Sequence, residues 1–276
     1  MNQETIEYRR ALVTYIDLLG FKKLVKSGDP SFVGKILTEF QEASRKSFIE
    51  DYSEIYGEPL YEDFIFSDSV IRITYLDHPV NLERPYGSVF YEILALAHAL
   101  ITLFPYGILF RGALTIGEVF ADAAKGQIFG PALVEAVEVE ARISEPCIAV
   151  SEEVLDNASC PHIRAEHNSE EEEQEFVQHF IADNSLICPE TEFCPETEFR
   201  YIDIFKTASS ETDCFSDWLI MIRNCIENNL TGYADARRIL AKYEWLKDQY
   251  NNYVSGLNED LVYEVMGIEK GLLLIS

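Results

Sequence analysis

Positive charge is what this sequence is short of. Only 22 of its 276 residues are Lys or Arg against 48 Asp or Glu, so the formal charge is 22 − 48 = −26. Such a chain repels phosphate backbones and anionic bilayer surfaces, which argues against nucleic acid and membranes as partners. An anionic substrate would need local positive charge from metal ions, backbone amides or a few placed Arg and Lys side chains. Paired cysteine motifs are missing too. The six cysteines, at 147, 160, 188, 194, 214 and 225, include no CxxC and read as reduced core residues. His162, His167 and His179 match no zinc spacing with Cys160 and read as surface histidines. The opening MNQETIEYRR has no apolar signal-peptide core, so a cytoplasmic location is expected. The longest apolar run, ILALAHALITLF at 93–104, is too short to span a bilayer and carries His98; it reads as a buried helix. No Gly/Ser-rich linker divides the chain, which favours one domain with a helical C-terminal addition.

What is present is a packable chain, 47% hydrophobic and 12% aromatic. Residues 11–16 suit a buried strand, and 31–50 have helical spacing behind Ser31. YEDFIF and VIRITY flank the tight SDS of Ser67, Asp68 and Ser69 and predict a hairpin. A strongly apolar helix over 88–104 should stop at Pro105. ILFRGALTIGEVF, 108–120, reads as a second hairpin or a bulged strand pair bent at Gly117. Gly130 and Pro131 open a further helix, CIAVS is a short strand, and YIDIFK at 201–206 resumes a strand. Residues 166–199 are acidic and carry a tandem CPETEF, read as a solvated loop insertion with a local duplication. Two amphipathic helices, 213–229 and 233–254, follow.

Asp17, in ALVTYIDLLGF (11–21), closes the first strand, and Asp68 sits in the turn of the hairpin. Each alone has an ordinary explanation as a helix cap or a turn residue. If the hairpin pairs beside the first strand, both carboxylates reach one sheet end, where two acids bind a hard cation such as magnesium or manganese. Gly20 and Phe21 then open a helix whose first free amides favour phosphate.

YIDLLGFKKLV, FIFSDSV, RGALTIGEVF and IFGPALVEAVEVE occur in the order seen in class III nucleotidyl cyclases. In detail they resemble the Pycsar pyrimidine cyclases of bacterial anti-phage defence, over roughly residues 11–150. The resemblance implies an α+β, ferredoxin-like domain with a mainly antiparallel sheet and C-terminal helices, working as a homodimer. Residues 1–155 would be the cyclase core; 156–276 would add the acidic insertion, a further strand and the helices of the same domain. Asp17 and Asp68 match the two metal-binding, catalytic acids, joined by the backbone carbonyl of Leu18, and Gly20–Phe21 match the turn that cradles phosphates. Two Mg2+ or Mn2+ ions, ~3.5–4 Å apart, would serve attack of a ribose 3′-hydroxyl on the α-phosphorus, with pyrophosphate leaving.

Base-reading positions depart from the adenylate cyclase pattern. Phe64 stands where those enzymes place lysine, and Gln127 where they place aspartate. Phe64 narrows a pocket against a bicyclic base, while Arg111 is a donor for a pyrimidine carbonyl or, alternatively, a salt-bridge partner. The Asn-x-x-x-Arg that stabilises the transition state aligns with Val134 and Glu138. Arg142, a turn further on, is either its substitute or an i,i+4 partner of Glu138. UTP is the expected substrate, giving cyclic UMP as an anti-phage second messenger, with CTP the close alternative and a phage component the activator the resemblance suggests. The alternative from another class is a catalytically inactive cyclase-fold sensor of a nucleotide or phage component.

Overall fold

The structure, a computed structural model, describes residues 6–45, 53–84, 86–156, 170–183 and 199–276. Cys160, Cys188, Cys194, His162, His167 and the tandem CPETEF up to residue 198 lie outside the described residues. The chain begins with β1 (Arg9–Leu18), α1 (Phe21–Ser27), α2 (Pro30–Arg45) and the short α3 (Ser53–Tyr56). The hairpin β2 (Tyr61–Phe66) and β3 (Ser69–Tyr75) leads to α4 (Ser88–Leu103). Then come β4 (Phe110–Asp122), β5 (Gln127–Phe129), α5 (Pro131–Arg142), β6 (Ile148–Val150) and α6 (Glu152–Asp156). The C-terminal half holds α7 (Glu170–His179), β7 (Ile181–Asp183), β8 (Arg200–Ile202), α8 (Ile204–Glu211), α9 (Phe215–Gly232), α10 (Arg237–Gly256), α11 (Glu259–Met266) and α12 (Lys270–Leu273).

The strands form one sheet in the order β2-β3-β1-β4-β6-β8-β7, with β5 paired to β4. Only the β4–β6 pairing is parallel among these neighbours. The expected α+β class, with a mainly antiparallel sheet and C-terminal helices, holds.

β1 is central and buried on both faces, so it reads as a continuous apolar run rather than a strict alternation. Leu12, Ile16 and Leu18 join the larger core under α4, α9 and α10, while Ala11 and Val13 join a second cluster under α5. The larger core includes residues from Leu12 to Ile275, so the C-terminal helices share it with the β1–α6 half. The apolar stretch Ser88–Tyr106 is longer than the 93–104 run suggested, and reaches membrane-spanning length; 78% of it is buried inside the fold.

Three expected elements differ. The solvated loop expected over 166–199 holds α7 and β7 among its described residues, and Val177, Phe180 and Ile181 are buried in the larger core. Residues 108–120 form no hairpin: β4 is a single strand because β1 pairs along ten of its residues and β6 along its other edge. Gly117 does not bend it but clears space for α5, since a Cβ there would lie 3.2 Å from the Ala132 methyl. The strand expected over 201–206 stops at Ile202, where the Asp203 carboxylate accepts the amides of Phe205 and Lys206 and caps α8. Of the described cysteines, all free, Cys147 is buried, Cys225 half-buried and Cys214 exposed, so the core reading holds only in part.

Candidate active site

The β2–β3 turn is a two-residue loop of Ser67 and Asp68, with Phe66 opposite Ser69. Ser67 takes φ 58°, the one positive φ outside glycine among the described residues, as a two-residue hairpin loop requires at its first position. The amide of Leu18 donates to the Asp68 carbonyl at 2.9 Å, tying this turn to the end of β1. Asp17 therefore stands in register with Ser69 on β3 and with Arg111 on β4. The close approach of β4 depends on Gly112, where a Cβ would overlap the Tyr15 carbonyl oxygen. Gly20, at φ 79°, turns the chain from β1 into α1.

Ser69 Oγ donates to Asp17 Oδ1 at 2.8 Å, and Tyr15 Oη lies 3.4 Å from the same hydroxyl. Burial pushes the Asp17 carboxyl above its ordinary range; the Ser69 hydrogen bond opposes this, the Asp68 charge adds to it, and Arg111 opposes it. Burial likewise raises the Tyr15 phenol, again with help from the charge of Asp17. The two acids expected at one sheet end are thus brought together and feel each other.

Arg111 is already engaged. Its Nη1 donates to the Ile143 carbonyl at 2.6 Å, and its Nε pairs with Glu140, so the salt-bridge alternative is realised. Glu140 is a residue the sequence reading missed. It sits four residues after Ala136 and eight after Ala132 on the buried stripe of α5, and a lone acid in that apolar register was the available signal. Burial raises its carboxyl above the usual range, which Arg111 opposes and Asp17 reinforces. Lys242 of α10, also missed, donates from Nζ to the Ser144 carbonyl at 2.8 Å, next to the carbonyl that Arg111 holds. Burial, then the Arg111 charge, holds the Lys242 ammonium below the ordinary lysine range.

Other expected residues are placed elsewhere. Phe64 is 4% exposed and packs in the α5-side core with Ile71 and Val13, so within one chain its ring is almost entirely withdrawn from solvent. Gln127 is exposed and pairs with Asp122. The straight β1–β4 ladder carries Val119 about 26 Å from Arg111, so one chain does not bring Gln127 and Arg111 to a common base. Val134 is 58% exposed on the outer side of α5. Arg142 lies about 200° around α5 from Glu140 and pairs with Glu138 at 3.5 Å, both exposed, so it does not reach Asp17.

Among the described residues, no group of three or more His, Cys, Asp or Glu side chains gathers as a metal site. The donors that converge are the carboxylates of Asp17 and Asp68 and the backbone of Leu18. This hard, all-oxygen set suits Mg2+ or Mn2+, which are commonly held by one or two carboxylates with substrate phosphates completing the shell.

No family model and no curated protein matches the chain. Solved structures that resemble it include the adenylyl cyclase CyaB from P. aeruginosa (12% identity, TM-score 0.42, covering 72% of this chain and 96% of that one). A bacterial light-regulated adenylyl cyclase aligns at 12% identity and TM-score 0.45, covering 81% and 59%. An adenylate/guanylate cyclase/hydrolase from Silicibacter pomeroyi aligns at 16% and 0.41, covering 71% and 97%. Likenesses this distant transfer no residue role.

Proposed function

We propose that this chain is a nucleotidyl cyclase of the class III, Pycsar-like kind, converting UTP to 3′,5′-cyclic UMP and pyrophosphate. The observation that carries the reading is the convergence of Asp17 and Asp68 at one sheet end, tied by the Leu18–Asp68 hydrogen bond. Asp17, Asp68 and the Leu18 carbonyl would hold two Mg2+ or Mn2+ ions, which supply acidification of the 3′-hydroxyl and neutralisation of the phosphates. The 3′-oxygen bonds to the α-phosphorus, the α–β bridging bond breaks, and pyrophosphate leaves with the electron pair while the hydroxyl proton passes to water. Ser69 holds Asp17 in its rotamer through the 2.8 Å hydrogen bond, and Gly20–Phe21 give the chain reversal beside the phosphates.

Arg111 keeps Nη2 for a ligand after its bonds to Glu140 and Ile143, and this is the donor proposed for the pyrimidine carbonyl. CTP is the alternative substrate. Uracil and cytosine share the C2 carbonyl and differ at C4, where uracil presents an acceptor and cytosine a donor; a donor from Arg111 or the Gln127 amide left unpaired there costs about 1–3 kcal/mol, so CTP should turn over roughly tenfold to a hundredfold less efficiently. Gln127 and Phe64 enter a base pocket only if a second copy completes it, which accords with the homodimer that the resemblance implies. The setting is cytoplasmic anti-phage signalling, with a phage component as activator.

The second reading, an inactive sensor of a nucleotide or phage component, is favoured by one observation: Val134 and Glu138 face outward where a transition-state Asn and Arg would stand, and Arg142 is paired on that outer face. Incubation with labelled UTP, CTP, ATP and GTP and manganese tests both. Wild type should release cyclic UMP, and Asp17→Ala or Asp68→Ala should abolish it without unfolding the chain. Nucleotide binding with no cyclic product from any of the four would establish the sensor instead.

A further inference from the structure

A cleft of about 1240 Å³ opens between the N-terminal end of α4 and the helices α7 and α8. Four of its eight lining residues, Tyr86, Phe90, Phe176 and Phe180, are aromatic, in a chain that is 12% aromatic. Their rings form a corner. Phe176 stands at 79° to Tyr86 with centroids 5.5 Å apart, and at 65° to Phe90 at 6.1 Å. Phe90 and Phe180 are buried, whereas Phe176 is 44% exposed and keeps its ring open to a ligand.

The acids that line the cleft are Glu175 of α7 and Glu211 of α8, and no Lys or Arg lines it among the described residues. Aromatic ring faces are the negative ends of a quadrupole and attract cations. The same cluster uses this property once internally: the Arg84 guanidinium lies 3.7 Å over Tyr91, whose ring is 6.4 Å from Tyr86 and 5.4 Å from Phe90. Among the described residues no Lys or Arg stands over the four rings of the cleft. An anion would be repelled by Glu175 and Glu211, and a purely apolar ligand would strip water from both carboxylates and give nothing in exchange. A weakly hydrated organic cation satisfies both sets of groups, with its alkyl carbons against the rings and its charge toward the acids.

The cleft is remote from the paired acids. Asp17 alternates with Ile16 and Leu18 and so projects to the α5 face, while α4 packs on the opposite face. The start of α4 is tied to the far end of β3 by Asn81, which donates to the Tyr75 carbonyl at 3.1 Å and accepts Ser88 Oγ at 2.8 Å. Tyr75 lies about 20 Å along β3 from Ser69, the neighbour of Asp17.

We propose that this cleft binds a small organic cation carrying an alkylated ammonium group, at a site separate from the paired acids and independent of the cyclase reading. Proton NMR titration of the full chain with choline tests this, run beside its uncharged carbon analogue, in which a tert-butyl group replaces the trimethylammonium. Wild type should bind choline about tenfold or more tighter than the analogue. Phe176→Leu, at an exposed position that tolerates the change, should weaken choline about fivefold or more and leave the analogue nearly unaffected. Glu175→Gln and Glu211→Gln should each weaken choline about twofold to fivefold. Equal affinity for choline and the analogue, no choline binding to wild type, or unchanged choline affinity in Phe176→Leu overturns the assignment. Asp17→Ala should bind choline as wild type does; loss of binding there would put the cation at the paired acids and overturn it as well.

Discussion

Glu92 of α4 should be among the most costly residues to remove. It is 1% exposed, yet it accepts Thr14 Oγ1 at 2.7 Å, Thr74 Oγ1 at 3.1 Å and Arg72 Nη1 at 3.4 Å. Arg72, equally buried, has Asp63 at 3.1 Å as its other acid, and these neighbours hold its guanidinium firmly charged despite burial. In Glu92→Leu the cation cannot neutralise itself and cannot reach water. Breaking such a buried pair costs about 3–5 kcal/mol. For a chain of this size each kcal/mol lowers Tm by about 2–4 °C, so the melt should fall by roughly 6–20 °C. Urea unfolding followed by the fluorescence of Trp218 and Trp245, both packed in or against the larger core, reads this directly. The double variant Arg72→Met/Glu92→Leu removes the cation that Asp63 alone would have to balance. It should be less destabilised than the sum of the singles by about 2 kcal/mol or more. Additive losses, or a Glu92→Leu cost under about 1 kcal/mol, would refute the view that this network is a coupled charge cluster clamping β1, β3 and α4.

Two further outcomes are expected. Glu140 holds its proton more tightly in the folded chain than in the unfolded one, so its contribution is fully present at low pH. It is lost as pH rises from the ordinary carboxylate range, about 4, through the raised folded value. Glu140→Gln should therefore gain stability relative to wild type between pH 4 and pH 7 in chemical denaturation, and a shift the other way would mean that the Arg111 pairing outweighs burial. Gly112→Ala puts a methyl into the Tyr15 carbonyl and the Ile16 side chain, so it should lose about 1–3 kcal/mol or more and move Asp17 away from Arg111, seen as a lower Tm together with lost nucleotide turnover.

The fold was legible where period and punctuation agreed. β1, the β2–β3 hairpin, α4 and α5 were read close to their observed bounds, because strand-length apolar runs, the SDS turn and the Gly130–Pro131 start are local signals. β4 misled because Gly117 carries a bend signal, whereas its glycine is demanded by a helix packed on the sheet, which no local window contains. Residues 201–206 misled because IDIF alternates like a strand, and one carboxylate cap decides for helix. The site divides in the same way. Asp17 stands one residue before the end of β1 and Asp68 in the β2–β3 turn, so their meeting follows from the β1–β3 pairing. The Arg111–Glu140 pair and Lys242 depend on how α5 and α10 dock. Only Glu140 left a trace in the sequence, as an acid on an apolar stripe.

The docking of α5 also explains how a chain of −26 keeps cations beside its paired acids. The carbonyls of Ile143 and Ser144, just past the end of α5, stand at the negative pole of that helix, and they hold Arg111 and Lys242 in place against their mutual repulsion. Glu140, one turn back, supplies the compensating charge that the Arg111 side chain, only a quarter exposed, requires. Acid and base are thereby laid side by side: Asp17, Asp68 and Glu140 toward the β1–β3 end, and Arg111 and Lys242 toward α10. Acids alone at this sheet end would repel a phosphate, and lysines alone would be captured by the surplus carboxylates of the chain. Held by backbone carbonyls rather than by mobile side chains, Arg111 and Lys242 stay beside the acids, and the paired carboxylates of Asp17 and Asp68 suit a hard cation. Divalent metal should accordingly raise the Tm of the wild type, and Asp17→Ala should remove that rise; a metal-dependent rise that survives in Asp17→Ala would refute the assignment of Asp17 to the cation.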